Sequence, residues 1–250
     1  MISRLNLYDA NGNKINMESI GLFGLKLNIP SPSYTTLTEK LDNGRTIVLD
    51  KQLNPRQLVA EFITKANDYK DSLKLRDELF ELLGHGSEMY IGEVNVPGKW
   101  WRVELEDWDP ERINRRVSKI ELPLFCTSGL AESINLNKKK YSSTSFNFKN
   151  GGNQLIDMTK QAETEITFMG SSTDLTITNK TTGDVFKYNG NTTDLEIIKL
   201  KGVHAFKGSS SIFGQTNKRL LSFAVGNNEF TVSGASGEFE LTISTRFYFL

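Results

Sequence analysis

Few residues in this chain are placed to do chemistry. There are two histidines, His85 and His204, and one cysteine, Cys126. Neither histidine has metal-ligand spacing to the other, to Cys126 or to an acid. His85 lies between Gly84 and Gly86 after a helical stretch, where a protonated ring would complement the helix C-terminus. Cys126 reads as a small buried apolar residue, and a lone cysteine allows no intrachain disulfide. Carboxylates cluster at Glu104, Glu106, Asp107, Asp109 and Glu111, and paired acids can hydrolyse glycosides. On a strand, however, Glu104 and Glu106 share a face with no apolar wall to raise either pKa. A solvated edge facing Arg112, Arg115 and Arg116 is the simpler expectation. No phosphate-binding glycine loop and no nucleophile elbow occurs. The sequence therefore predicts no enzyme, no metal and no cofactor.

The elements that would position any site are mostly strands. The exception is Asn67–Gly84, where Tyr69, Leu73, Phe80 and Leu83 recur at three- and four-residue steps, flanked by Leu75, Leu79 and Leu82. Asn67 or Asp68 would cap its start and Gly84 its end. This helix is expected to dock on a sheet through Leu73, Phe80 and Leu83. Phe23, Leu25, Leu27 and Ile29 alternate as a half-buried strand stopped by Pro30 and Pro32. Tyr34–Leu41 and Thr46–Leu49 flank Asp42-Asn-Gly-Arg45, a strong hairpin signal. Pro97-Gly98 divides two further strands, the second of which carries Trp100 and Trp101. An alternating strand buries only one of two adjacent tryptophans in its own core. The other lies under the helix or Pro97, or seeks a second surface.

The chain has 250 residues, with 30 Lys+Arg against 30 Asp+Glu. That balance offers no basic field for nucleic acid or acidic lipid. No apolar leader follows Met1, so synthesis in a reducing cytoplasm is expected. Asn179-Lys-Thr181 and Asn191-Thr-Thr193 match glycosylation acceptors only by chance on that reading. Beyond Thr127 charge thins out and Asn, Ser, Thr and Gly dominate. We expect a first domain over 1–132 and a second over 133–250, with Asn135–Ser145 as a linker in which Lys138-Lys-Lys140 is a solvated turn. Ser236-Gly237 and similar pairs mark turns between short strands, the pattern of an all-β sandwich. The last run, Phe239–Phe249, is long enough to bend or to return to the first domain.

The order of these fragments resembles the siphophage distal tail proteins (Dit). In the first half it is carried by Gly24-Leu-Lys-Leu, Asn43-Gly-Arg45, Leu53-Asn-Pro-Arg56, Arg76-Asp-Glu-Leu-Phe-Glu-Leu-Leu83 and Pro97-Gly-Lys-Trp-Trp101. In the second it is carried by Leu175–Gly183, Asp194-Leu-Glu-Ile197, Arg219-Leu-Leu, Gly226-Asn-Asn228 and Arg246-Phe-Tyr-Phe. The resemblance implies a mainly β chain: an N-terminal β-sandwich with one helix and a hairpin, then a galectin-like sandwich pointing outward. It implies a six-fold ring made by the first domain at the distal end of the phage tail. The partners it implies are the major tail tube protein, the tail-associated lysin and, in some phages, receptor-binding or baseplate proteins. There is no room for the long arm or the carbohydrate-binding insertion that some members carry. Candidate ring contacts are Asn43, Gly44, Arg45, Trp100 and Trp101.

Two other readings compete with a structural hub. A carbohydrate-binding module for host cell-wall polysaccharide would explain the second sandwich, although all three tryptophans, the usual sugar platforms, lie in the first half. A hydrolase would rest only on the acids near Trp108.

Overall fold

The computed structural model describes residues 2–83 and 88–250, so the expected cap at Gly84 and the site of His85 lie outside the described residues. The chain is mainly β. It divides into two units, Met1–Glu132 with Leu250, and Ser133–Phe249. Among the described residues no helix is long and apolar enough to cross a membrane.

In the first unit the strands are β1 (Leu5–Tyr8), β2 (Leu22–Asn28), β3 (Tyr34–Lys40), β4 (Thr46–Leu53) and β5 (Arg56–Lys65). After the helix α1 (Tyr69–Leu83) come β6 (Glu88–Glu93), β7 (Lys99–Leu105), β8 (Pro110–Arg112) and β9 (Val117–Cys126), and β10 (Ala131–Ser133) ends the unit. The main sheet runs β1-β6-β7-β9-β5-β2. Its two ends meet, because the Arg4 amide donates to the Gly24 carbonyl at 2.8 Å. Curling the sheet on itself buries Leu5, Leu7, Leu58, Phe62, Ile91, Val103 and Leu122 and leaves fewer bare edges.

The alternation expected in β2 is broken. Pairing with β5 runs Gly24↔Phe62 and then Lys26↔Glu61, leaving Leu25 as an extra residue. This bulge puts Leu22, Gly24 and Leu27 inward, in place of Phe23, Leu25 and Ile29. Gly24 is required there, since a Cβ would lie 2.5 Å from the Leu5 Cβ.

The helix forms where expected but presents a different row. Asp68 caps it, accepting from the Asp71 amide at 2.8 Å, while the Asp71 carboxylate reaches back to the Asn67 amide at 2.8 Å. These two bonds satisfy amides that the first turn leaves free. The buried residues are Leu75, Leu79 and Leu83, spaced four apart, whereas Phe80 is 41% exposed and leans on Trp108 with ring centroids 5.3 Å apart. The sequence offered two overlapping apolar rows, and the one of uniform leucines is the buried one. Leu79→Ala is therefore expected to destabilise the first unit by about 2–5 kcal/mol. Phe80→Ala is expected to change it by less than about 1 kcal/mol. Thermal midpoints measure both, and equal losses would return Phe80 to the core.

The second unit contains β11 (Asn137–Tyr141), β12 (Ser145–Asn150), β13 (Ile156–Asp157), β14 (Glu165–Asn179), β15 (Asp184–Lys187) and β16 (Asn191–Thr192). It continues with β17 (Ile197–Lys201), β18 (His204–Lys207), β19 (Ser210–Ser211), β20 (Ser222–Phe223), β21 (Gly226–Thr245) and β22 (Tyr248–Phe249). Its spine is the long antiparallel pair β14–β21, which changes register between Gly170 and Thr176. Beyond that break the pair serves two sub-sheets. Glu165–Gly170 with Phe239–Ser244 adds β11 on one side and β17, β18 and β19 on the other. Thr176–Asn179 with Phe230–Ser233 adds β12 and β15.

Two expectations are corrected here. Ser236-Gly237 is a bend inside β21 and does not separate two strands, and Gly234 at φ +82° and Gly237 at φ +81° absorb the strain. Lys138–Lys140 is not a linker turn. It pairs with Thr242–Ser244 as an outer strand, where lysines discourage stray pairing.

Candidate assembly surface

The carboxylates of residues 104–111 are the nearest approach to an active site that the sequence offers. Glu104, Glu106, Asp107, Asp109 and Glu111 are open to solvent. Glu106 is held by the Gln57 side-chain amide. The expected facing of Arg112, Arg115 and Arg116 is not found among the described residues. Arg112 lies over the Tyr69 ring instead, 4.6 Å from its centroid. Glu106, Asp107 and Asp109 line an open groove of about 630 Å³ with Phe80, Leu83, Leu105 and Trp108. Among the described residues nothing in that groove sets an acid–base pair apart.

His204 is exposed beside Phe206. Cys126 is fully buried, and burial pushes its thiol pKa up, the opposite of what a nucleophilic thiolate needs. Among the described residues no cluster of His, Cys, Asp or Glu could hold a metal. Asn179 is fully buried with its amide hydrogen-bonded to the Ser222 carbonyl at 2.7 Å, so it is no glycan acceptor.

The tryptophan pair is resolved inside the first unit. Trp100 is 4% and Trp101 8% exposed. Trp100 stacks on Tyr90 at 4.2 Å between centroids, meets Tyr8 edge-on, and donates its indole N–H to Glu132 at 3.1 Å. Trp101, on the opposite face of β7, is covered by the Arg56 guanidinium 4.9 Å from its ring centroid. Both faces of this strand are thus roofed by the chain itself, so neither ring requires a second surface.

The β3–β4 hairpin is built differently. It forms a two-stranded sheet of its own. Its turn follows from Asn43-Gly44. The Gly44 amide donates to the Leu41 carbonyl at 2.9 Å, Gly44 takes φ +80°, and the Asn43 side chain accepts from the Arg45 amide at 3.0 Å. The left-handed glycine closes a short bulged loop matched to strand twist. Pairing then sets Leu37 and Ile47 on one face and Tyr34 and Val48 on the other, with Leu49 as the bulged residue. All of them are exposed; Leu37 reaches 59% and Val48 63%. A bare two-stranded hairpin is marginal in water, and apolar side chains on both faces form an uncovered patch.

Its root, by contrast, is clamped. The Asn54 amide donates to the Ser33 carbonyl at 3.0 Å, and the Thr35 hydroxyl donates to the Asn54 side chain at 2.7 Å. Arg56, itself buried, donates to the carbonyls of Pro30 and Gly129 while stacking on Trp101. Gly129, at φ +66°, packs so close that a Cβ would lie 2.5 Å from the Asn54 carbonyl oxygen. The sequence signal Leu53-Asn-Pro-Arg56 was visible, but its part in anchoring the hairpin was not. Asn43, Gly44 and Arg45 are therefore brought together at the tip of a rigidly rooted blade, and Trp100 and Trp101 are not part of it.

Residues 11–126 match the family model described as phage tail protein RIFT-related domain. Among solved structures the chain is similar to the crystal structure of SPP1 Dit (gp 19.1), described as a paradigm of the hub adsorption apparatus in phages that infect Gram-positive bacteria. The identity is 13% and the TM-score 0.73, over 97% of this chain and 99% of that one. It is also similar to a chain in the phage P2 baseplate in its activated conformation with Ca, at 10% identity and a TM-score of 0.49, over 98% of each chain. No curated protein sequence matches it. The resemblance drawn from fragment order agrees with both findings: residues 11–126 match a phage tail family model, and the chain as a whole shares the fold of SPP1 Dit.

Proposed function

We propose that this chain is a structural hub at the distal end of a long-tailed phage tail. In this reading, copies close into a ring through the first domain, residues 1–132, and the ring joins the tail tube to the tail-associated lysin and adsorption apparatus. The protein is made in the host cytoplasm and works in the virion. The observation that carries the reading is the β3–β4 hairpin, apolar on both faces and bare, on a root too well tied to be a loose loop. A head-to-tail ring gives every copy a partner for such a blade and leaves none exposed. The near-neutral net charge sets no strong repulsion against side-by-side packing. The fold shared with SPP1 Dit supports the same conclusion.

The test is the mass of the full chain by multi-angle light scattering across a concentration series, with negative-stain images of the largest species. Closed rings are expected, growing in with concentration. A chain that remains monomeric at the highest concentration, and also fails to associate when purified tail tube protein is added, would defeat the proposal.

A further inference from the structure

The two faces of the β3–β4 hairpin are not alike. Its charges cancel in sum, since Glu39, Asp42 and Asp50 balance Lys40, Arg45 and Lys51. The ladder sorts them by sign. Residues opposite each other share a face, and the bulge at Leu49 shifts the alternation of β4. One face carries Leu37, Glu39, Ile47 and Asp50, so both its charges are negative. The other carries Tyr34, Lys40, Val48 and Lys51, so both its charges are positive. Lys51 lies over the Tyr34 ring at 4.4 Å, as residues on one face should. Lys40 and Lys51 are exposed, and among the described residues neither pairs with a carboxylate. The blade is therefore acidic on one side and basic on the other.

The groove between Phe80 and Trp108 has the opposite character to the basic side. Phe80, Leu83, Leu105 and Trp108 give it an apolar lining, and its charged groups, Glu106, Asp107 and Asp109, are all acidic. Among the described residues no cation pairs with any of the three. An aromatic pair beside carboxylates that no cation neutralises suits an apolar surface carrying ammonium groups. Such groups gain both the opposite charge and the ring faces. A second groove of the first unit, at Ile2, Leu25 and Val94, carries Arg4 as its one charge, the wrong sign for lysines.

We infer that the basic face of one copy's hairpin docks in the Phe80–Trp108 groove of the next copy. Tyr34 and Val48 lie against the aromatic pair, and Lys40 and Lys51 face Asp107, Asp109 and Glu106. This contact rests on the ring reading and supplies its two unlike surfaces, blade and socket, both within the first unit. Because the surfaces differ, the contact repeats in one direction from copy to copy. The sign of the charges also fixes which way round the blade inserts. Turned over, it would set Glu39 and Asp50 against the same acids, and that repulsion selects the basic side.

Reciprocal charge reversal in the full chain tests the contact, read by light scattering across a concentration series. Lys40→Glu with Lys51→Glu reverses the blade, and Asp107→Lys with Asp109→Lys reverses the socket. All four positions are exposed, so melting midpoints should move by no more than about a degree or two. Each pair alone is expected to raise the concentration for half-assembly about a hundredfold, because like charges then face each other. Both pairs in one chain restore opposite charges and should recover most of that loss. A mixture of the two reversed chains keeps the test open should the combined chain misfold. Each then offers the other a matching surface, so the mixture is expected to associate where neither chain does alone. Rings that withstand both reversals overturn this contact and leave the ring reading standing. So do reversals that weaken assembly with no recovery in the combined chain or the mixture. A wild-type chain that never associates, alone or with tail tube protein, defeats the ring reading itself and the contact with it.

Discussion

Asn228→Ala is expected to lower the stability of the second unit by about 3–5 kcal/mol. Asn228 is fully buried and uses its whole amide. Its oxygen accepts from the Asn179 side chain at 3.1 Å and the Ala224 amide at 2.8 Å. Its nitrogen donates to the carbonyls of Ala224 at 2.8 Å and Gly226 at 3.2 Å. Asn179, equally buried, carries the network on to the Ser222 carbonyl and the Thr181 amide. Truncation leaves four groups short of a partner, the Asn179 amide fully buried and the Ala224 and Gly226 backbone groups part-buried. Each orphan costs on the order of 1–3 kcal/mol when no water replaces the bond, and water entering the vacated space recovers part of that.

The thermal midpoint of the second unit should fall by about 10–20 °C. Asn227→Ala is the control, since Asn227 is exposed and makes only a side-chain contact with Asn147 at 3.2 Å. It should move the midpoint by no more than a degree or two. Equal shifts in the two variants would mean that the network adds nothing beyond its exposed neighbour.

How much of this was legible in the residues depends on the range of the signal. Asn43-Gly44 was legible because turn chemistry is local: the left-handed glycine and the Asn43 acceptor act within four residues. The cap at Asp68 was legible for the same reason. The helix face was misjudged because Leu73/Phe80 and Leu75/Leu79 lie on overlapping rows, and only tertiary packing decides between them. The β2 bulge was hidden because what demands it is Leu5, packed on Gly24 from a strand nineteen residues earlier. Two adjacent tryptophans looked like one too many. Alternation does send them to opposite faces, but no pattern shows that Arg56 roofs one and Tyr90 the other. The resemblance pointed to the right fold where these single signals failed because it integrates the order of many weak local fragments.

Removing the hairpin is expected to abolish assembly while leaving the first unit folded. The excision is geometrically simple. Ser33 and Asn54 are already joined by a 3.0 Å backbone hydrogen bond, so residues 34–53 can be replaced by a two-glycine link; the Thr35–Asn54 bond is lost, while Arg56 still ties the root to Pro30 and Gly129. The strands lost pair only with each other, so the main sheet keeps its ladder from β2 through β5. The thermal midpoint should therefore fall little, whereas light scattering should report monomer at concentrations where the intact chain is expected to form rings. A subtler variant, Leu37→Asp with Val48→Asp, places one charge on each face of the blade. In the free chain both positions are solvated, and stability should change by less than about 1 kcal/mol. Within a joint each carboxylate would be stripped of water without a partner, at a cost of several kcal/mol. A standard protein–protein contact buries roughly 1,600 Å², and a weakened joint recurs at every position of a closed ring, so the losses multiply around the circuit. The expected outcome is monomer for both variants. Rings that form at wild-type concentration without the hairpin would place the joint elsewhere on the first unit, with the groove between Phe80 and Trp108 as the next surface to change.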